Sequence, residues 1–217
     1  MSAAMINLLW QSLGETLYMV LGSAVFSTLL GLPLGIALHI TKPRQVLARP
    51  QLSRLLGIVV NLGRSVPFII LMVAIIPLTR IITGTSIGTT AAIVPLTVAA
   101  VPFVARLVEG ALMEVPAGLV EAAQAMGALP RQIITKVLLP EALPGIINSI
   151  TITLVTLVNY SAMAGAIGGG GLGDVGIRYG YQRFDPSIML ITVIILVAMV
   201  QLIQSLGEYL VKRVDHR

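Results

Sequence analysis

Residues 149–163 carry Ser149, Thr153, Thr156, Tyr160 and Met163, at spacings of 4, 3, 4 and 3. On a helix that spacing draws one stripe along one face. Hydroxyls and a thioether without charge would make a weakly interacting wall, able to pass a small zwitterion without trapping it. Small polar side chains also serve interhelical packing, and the stripe by itself leaves both readings open. Other chemistries find little support. With no cysteine in the chain, disulfides, zinc-thiolate sites and cysteine nucleophiles are excluded. His39 and His216 have no Asp or Glu at metal-ligand spacing and read as interfacial residues, so no metal site is expected. Gly168-x-Gly170-x-x-Gly173 matches a dinucleotide fingerprint formally, yet it follows an apolar helix instead of a strand. A helix-ending turn explains it better. No Gly-Lys pair occurs, so there is no Walker A motif. No catalytic residue is expected, and energy must come from a partner or a gradient.

The elements that position these residues follow from composition. Of 217 residues, 56% are apolar and 11% charged, against roughly 45–50% and about 25% in soluble chains. Four long stretches carry no charge and a fifth, between Arg54 and Arg80, carries only Arg64, so five can supply the roughly 17–25 residues of a bilayer-spanning helix. The expected fold is all-α and integral to the membrane, with spans at about 16–40, 55–78, 87–108, 145–167 and 187–206. Trp10 and Tyr18 are plausible belt residues of the first span. No basic residue precedes Lys42, so no cleavable signal is expected and the first span is retained. Most Lys and Arg fall after spans one and three and in the C-terminal tail, which places the N-terminus outside and the C-terminus in the cytoplasm. The net charge of +5 sits at span ends and not in one stripe, so no nucleic acid is expected. Five helices are too few to wrap a pathway, and an odd count forbids an internal inverted repeat. A symmetric homodimer with the pathway on its twofold axis is expected.

The connector at 109–144 is patterned. Pro116 suits a first helical turn, an apolar run through Met126 follows, and Gly127 is a natural stop. Pro130 opens a second helix that ends near Pro140. Such an apolar surface outside the spans must bury against something, either a partner or the chain's own membrane helices.

Here the chain resembles a family. Glu121-Ala122-Ala123, then Gly127, then Leu139-Pro140 is similar to the E-A-A-x3-G-x9-I-x-L-P loop of binding-protein-dependent ABC importer permeases of type I. Val137 stands where isoleucine is usual. The likeness spans about 13–210, the expected transmembrane domain. It implies that Glu121, Ala122, Ala123, Met126, Gly127, Leu139 and Pro140 form a coupling helix and loop that dock on a separate ATP-hydrolysing subunit. The runs at 64–71, 91–106, 136–145 and 159–174 narrow the resemblance to permeases of methionine importers. That implies an inner-membrane location, two ATP-binding subunits holding ATP and magnesium, an external substrate-binding lipoprotein, and methionine as substrate. The chain itself would hold no cofactor.

The rival is an autonomous gradient-driven carrier or channel for a small neutral solute. Carriers usually show ionisable residues within their spans, and only Arg64 qualifies. It lies within snorkelling reach of the cytoplasmic face and reads as an interfacial anchor or a partner to a backbone carbonyl. A non-transporting scaffold is a third possibility, one that would tolerate bulky residues along the 149–163 stripe.

Overall fold

A computed structural model describes residues 3–215. His216 and Arg217 lie outside the described residues. The described residues are mostly helical, with no strand among them. In order, α1 is Ala3–Ile40, α2 Pro50–Ser65, α3 Phe68–Ala74, α4 Ile76–Thr83 and α5 Thr89–Met113. Then come α6 Ala117–Ala125, α7 Pro130–Ile133, α8 Leu139–Glu141, α9 Leu143–Ala164, α10 Gly171–Val175 and α11 Pro186–Val214.

Four stretches, α1, α5, Leu143–Gly169 and α11, are long and apolar enough to cross a membrane. A fifth crossing exists only if α2 and α3 count as one broken span, bent by 99°. Within the span expected over 55–78 the helix breaks between Ser65 and Phe68. Val66 is extended (φ −82°, ψ 124°), the conformation that a following proline, Pro67, imposes.

The core forms where α1 lies against α5. A Cβ added at Gly31 would sit 2.9 Å from the Val101 carbonyl oxygen, and one at Gly35 would sit 2.6 Å from that of Ala105. Glycine at this four-residue spacing lets two backbones approach as no larger residue could. The register also fixes direction. Gly22 meets Ile93 while Gly35 meets Val108, so α1 and α5 run parallel, as two spans separated by one return crossing must. Gly207 of α11 meets Thr151 and Gly145 of α9 meets Ala111, which packs α9 between α5 and α11.

Four buried hydroxyls are satisfied within their own helices. Thr16, Ser149, Thr153 and Thr192 each donate to the carbonyl four residues earlier, at 2.8–2.9 Å. In an apolar medium that spares these four donors the cost of an unmet hydrogen bond, whereas Thr97 Oγ1 is buried without a partner among the described residues.

The link between α9 and α11 departs from expectation. A glycine-rich turn is present, but the polar stretch after it is a compact helical hairpin. Leu172 and Val175 are fully buried, and the Gly176–Tyr181 segment winds as a wide π turn. α11 then starts on a clear signal. The Asp185 carboxylate accepts from the Ser187 and Ile188 amides, at 3.0 and 3.3 Å, with Pro186 in the first turn.

Candidate functional site

The connector between α5 and α9 folds as a helical hairpin that projects from the bundle. Its first helix, α6, begins after Pro116 and ends in a complete Schellman motif. The Gly127 amide donates to Gln124 O (2.9 Å) and the Ala128 amide to Ala123 O (3.0 Å). That closure requires a left-handed residue, and Gly127 supplies it with φ +76°. At Leu129 the chain turns again, where the backbone amide donates to Gln132 Oε1 (2.8 Å).

The second helix ends near Pro140 as expected, at Glu141 just before a break at Ala142. Pro140 has no amide to donate, so the preceding turn, Ile134–Leu138, widens to π geometry and Leu139 N–H reaches Ile134 O. The chain then passes through α8 into α9 with only a short break.

The hairpin has two faces. Ala123, Ile133 and Leu138 are buried in one cluster with Val108, Leu112 and Ile146 of α5 and α9. On the other side Leu119, Met126 and Leu129 are exposed, Met126 by 82%. The two alternatives for this surface are thus both realised: one face folds back on the chain and the other is left open. Glu121, Ala122, Gly127 and Pro140 are exposed and Leu139 is half-buried. Ala123, by contrast, packs into that buried cluster.

Glu121 faces a cavity of about 260 Å³ beneath α6, shared with His39, Lys42, Gln45, Met113 and Gln124. Close by, a buried carboxylate ties the ends of three helices together. Glu109, 4% exposed at its side chain, pairs with Arg106 and with Lys42 at 2.7 Å. The Lys42 contact is an ion pair without hydrogen-bond alignment. Arg106 also donates to Asn61 Oδ1 (2.8 Å) and Gly57 O (3.2 Å), which pins α2 to α5. Neither Glu109 nor Asn61 was singled out by sequence. The i,i+3 spacing of Arg106 and Glu109 at a span end was the available signal.

The polar stripe of α9 divides. Ser149 and Thr153 are buried inside this chain, because the first half of α9 lies against α5 and α1. Within this chain they serve packing, the other of the two readings the stripe left open. Thr156 and Tyr160 are half-buried and Met163 is 40% exposed. Tyr160 stacks on Phe68 of α3, with ring centroids 4.6 Å apart. Arg64 has no carbonyl partner. Its guanidinium carbon lies 6.0 Å from the Phe103 ring centroid.

On the opposite end of the bundle, two α1 side chains that sequence reasoning passed over hold the glycine turn. Glu15 Oε2 accepts from Gly171 N (2.8 Å) and Thr16 Oγ1 from Leu172 N (2.9 Å). Gly168 and Gly170 turn with φ +95° and +79°. The glycine motif is therefore a helix-ending turn. Among the described residues no group of three or more His, Asp or Glu could hold a metal ion.

An all-helical bundle with four or five apolar crossings and a projecting helical hairpin defines a class, and the family model agrees with it. The chain belongs to the binding-protein-dependent transport system inner membrane components, matched over residues 31–216. It is the permease of an ABC importer, a multi-pass protein of the inner membrane. It is 65% identical over 211 residues to the probable D-methionine transport system permease protein MetI of Vibrio cholerae serotype O1, covering 97% of this chain and 94% of that one. The protein of that name from Pasteurella multocida is 49% identical, over 96% and 98% of the two chains. A solved structure described as inward-facing conformations of the MetNI methionine ABC transporter matches with a TM-score of 0.98 and 53% identity, over 100% of both chains.

Proposed function

We propose that this permease carries methionine, in its D form, its L form or both, as a homodimer working with two ATP-binding subunits. The observation that carries the coupling is the hairpin. Its apolar outer face, Leu119, Met126 and Leu129, stays exposed although the same hairpin buries its inner face. A large apolar surface left open in this way marks an interaction site. Glu121, Ala122, Met126 and Gly127 would lie at the ATPase contact, with Leu139 and Pro140 supporting them from the second helix.

The N-terminus lies outside and the C-terminus in the cytoplasm, which sets the hairpin, Lys42 and Arg131 on the cytoplasmic side in accord with the positive-inside rule. ATP and magnesium belong to the partner, and this chain hydrolyses nothing. An external binding protein delivers methionine to the outward mouth. ATP-driven closure of the ATPase pair moves the two hairpins, and the helices rock between outward and inward openings around a pathway on the twofold axis. The substrate assignment draws on the names of the relatives.

Reconstitution tests this reading. Proteoliposomes holding the permease, its ATPase and its binding protein should take up labelled methionine only with ATP and all three components present. Uptake driven by an ion gradient without ATP would overturn it.

A further inference from the structure

We propose that the break in the second span carries a carboxylate-binding subsite for the transported amino acid, with Arg64 as its anion ligand. This rests on the amino-acid reading above and adds a solute site on the permease itself. Where α2 stops at Ser65 and the chain bends by 99°, a cavity of about 200 Å³ opens. Its lining includes Gly63, Arg64, Phe68, Ala99, Phe103 and Tyr160. That volume is several times the roughly 30 Å³ share of one water, and smaller than the about 300 Å³ at which drug-sized pockets begin. It fits a small solute.

Depth and charge single this cavity out. Arg64 lies fourteen residues along α2 from Pro50, about 21 Å at 1.5 Å per residue. Tyr160 lies seventeen residues along α9 from Leu143, about 25 Å by the same rise. Both helices start on the side of the hairpin, so the cavity lies part-way along a core of about 30 Å, with Arg64 exposed at its mouth in the single chain. A guanidinium at such depth is costly without a partner. Arg106, on the facing helix and nearer the hairpin, has a carboxylate, an amide and a carbonyl. Arg64 has one ring at 6.0 Å.

An anion that arrives and leaves is what this arrangement lacks. A planar guanidinium holds a carboxylate by two parallel hydrogen bonds. The aromatic walls suit the rest of the solute: Phe68 and Tyr160 stack with planes 2° apart, and a thioether packs well against such rings. The site therefore selects an α-amino acid with an unbranched apolar or thioether side chain. With one cation and no carboxylate near, it binds weakly enough to release. Tyr160 becomes a wall of this subsite.

The probe is a diazirine analogue of methionine, photolysed on the purified permease–ATPase complex, with labelled permease peptides mapped by mass spectrometry. Label should fall on the peptides carrying Phe68, Phe103 and Tyr160. Excess methionine should suppress it, and methionine methyl ester, which has no free carboxylate, should not. Arg64→Gln should cut this labelling and methionine uptake at least tenfold, with partial rescue by Arg64→Lys. Should Arg64→Gln not assemble, Ala99→Leu fills the cavity without touching the charge and should give the same loss. Label elsewhere, competition by the ester, or full labelling in Arg64→Gln or Ala99→Leu would overturn the subsite. Wild-type uptake decides the other level. No methionine uptake removes the amino-acid reading and this subsite with it, whereas uptake without label here removes the subsite alone.

Discussion

Two helical connectors join the long helices of this permease, and they are built to opposite ends. The 114–142 hairpin carries its glycines in the open: nothing lies within 4 Å of a Cβ placed at Gly118 or Gly127. The 165–185 hairpin carries its glycines in contact. A Cβ at Gly165 would sit 2.5 Å from Asp174 N, and one at Gly180 would sit 3.0 Å from Met189 Cβ. The first keeps Met126 and Leu129 exposed, while the second buries Leu172 and Val175 completely. The first leaves one of its two apolar faces open, whereas the second, though Tyr181 and Phe184 stay exposed, sets its glycines in contact with the bundle. The open face is the one proposed to meet another protein.

If that contrast is right, the two ends should respond differently to the same change. The largest difference is expected for Gly→Ala exchanges. At Gly173 the new methyl meets the Ala162 backbone, an overpacking that should cost about 1–3 kcal/mol and lower the melting temperature of the purified complex. At Gly118, helical and open, the same exchange should stabilise by about 0.5–1 kcal/mol. Equal shifts at the two positions would erase the contrast.

Glu15→Ala should follow in size. It strips an acceptor from Gly171 N and should cost about 1–3 kcal/mol, read as a lower melting temperature with ATPase association intact. The smallest stability effect belongs to Met126→Ser, within about 0.5 kcal/mol for an exposed position. Its consequence should appear as weaker retention of the ATPase subunit on a column carrying the permease. A Met126→Ser permease that melts early but holds its partner would show that Met126 packs inward.

How far the sequence reveals all this differs by region in the same way. Charge-free stretches disclose the helical membrane class, and Pro116, Gly127 and Pro130 mark the 114–142 hairpin because its turns depend on local backbone chemistry. The break at Pro67 is visible as a proline, but its 99° angle depends on how α3 packs beneath α9. The outer hairpin is hidden because its burial is long-range: Glu15 and Thr16 cap a helix 156 residues away. Its one local trace is the four-residue spacing of Gly165, Gly169 and Gly173, and of Gly176 and Gly180, which signals close backbone packing. The 149–163 stripe misleads for a related reason. Periodicity identifies a shared face, and only the neighbours of α9 decide that Ser149 and Thr153 are inside and Met163 is not.

The central claim is that the open face of the cytoplasmic hairpin docks the ATPase. Gently solubilised membranes carrying tagged permease, wild type beside Gly127→Trp, test it in one pull-down with identification of the proteins recovered. The wild type should bring down an ATP-binding subunit and the variant should lose it, while both elute as folded, monodisperse membrane protein. Recovery of the ATPase at equal yield with Gly127→Trp, or its absence from the wild type after cross-linking, would contradict the assignment.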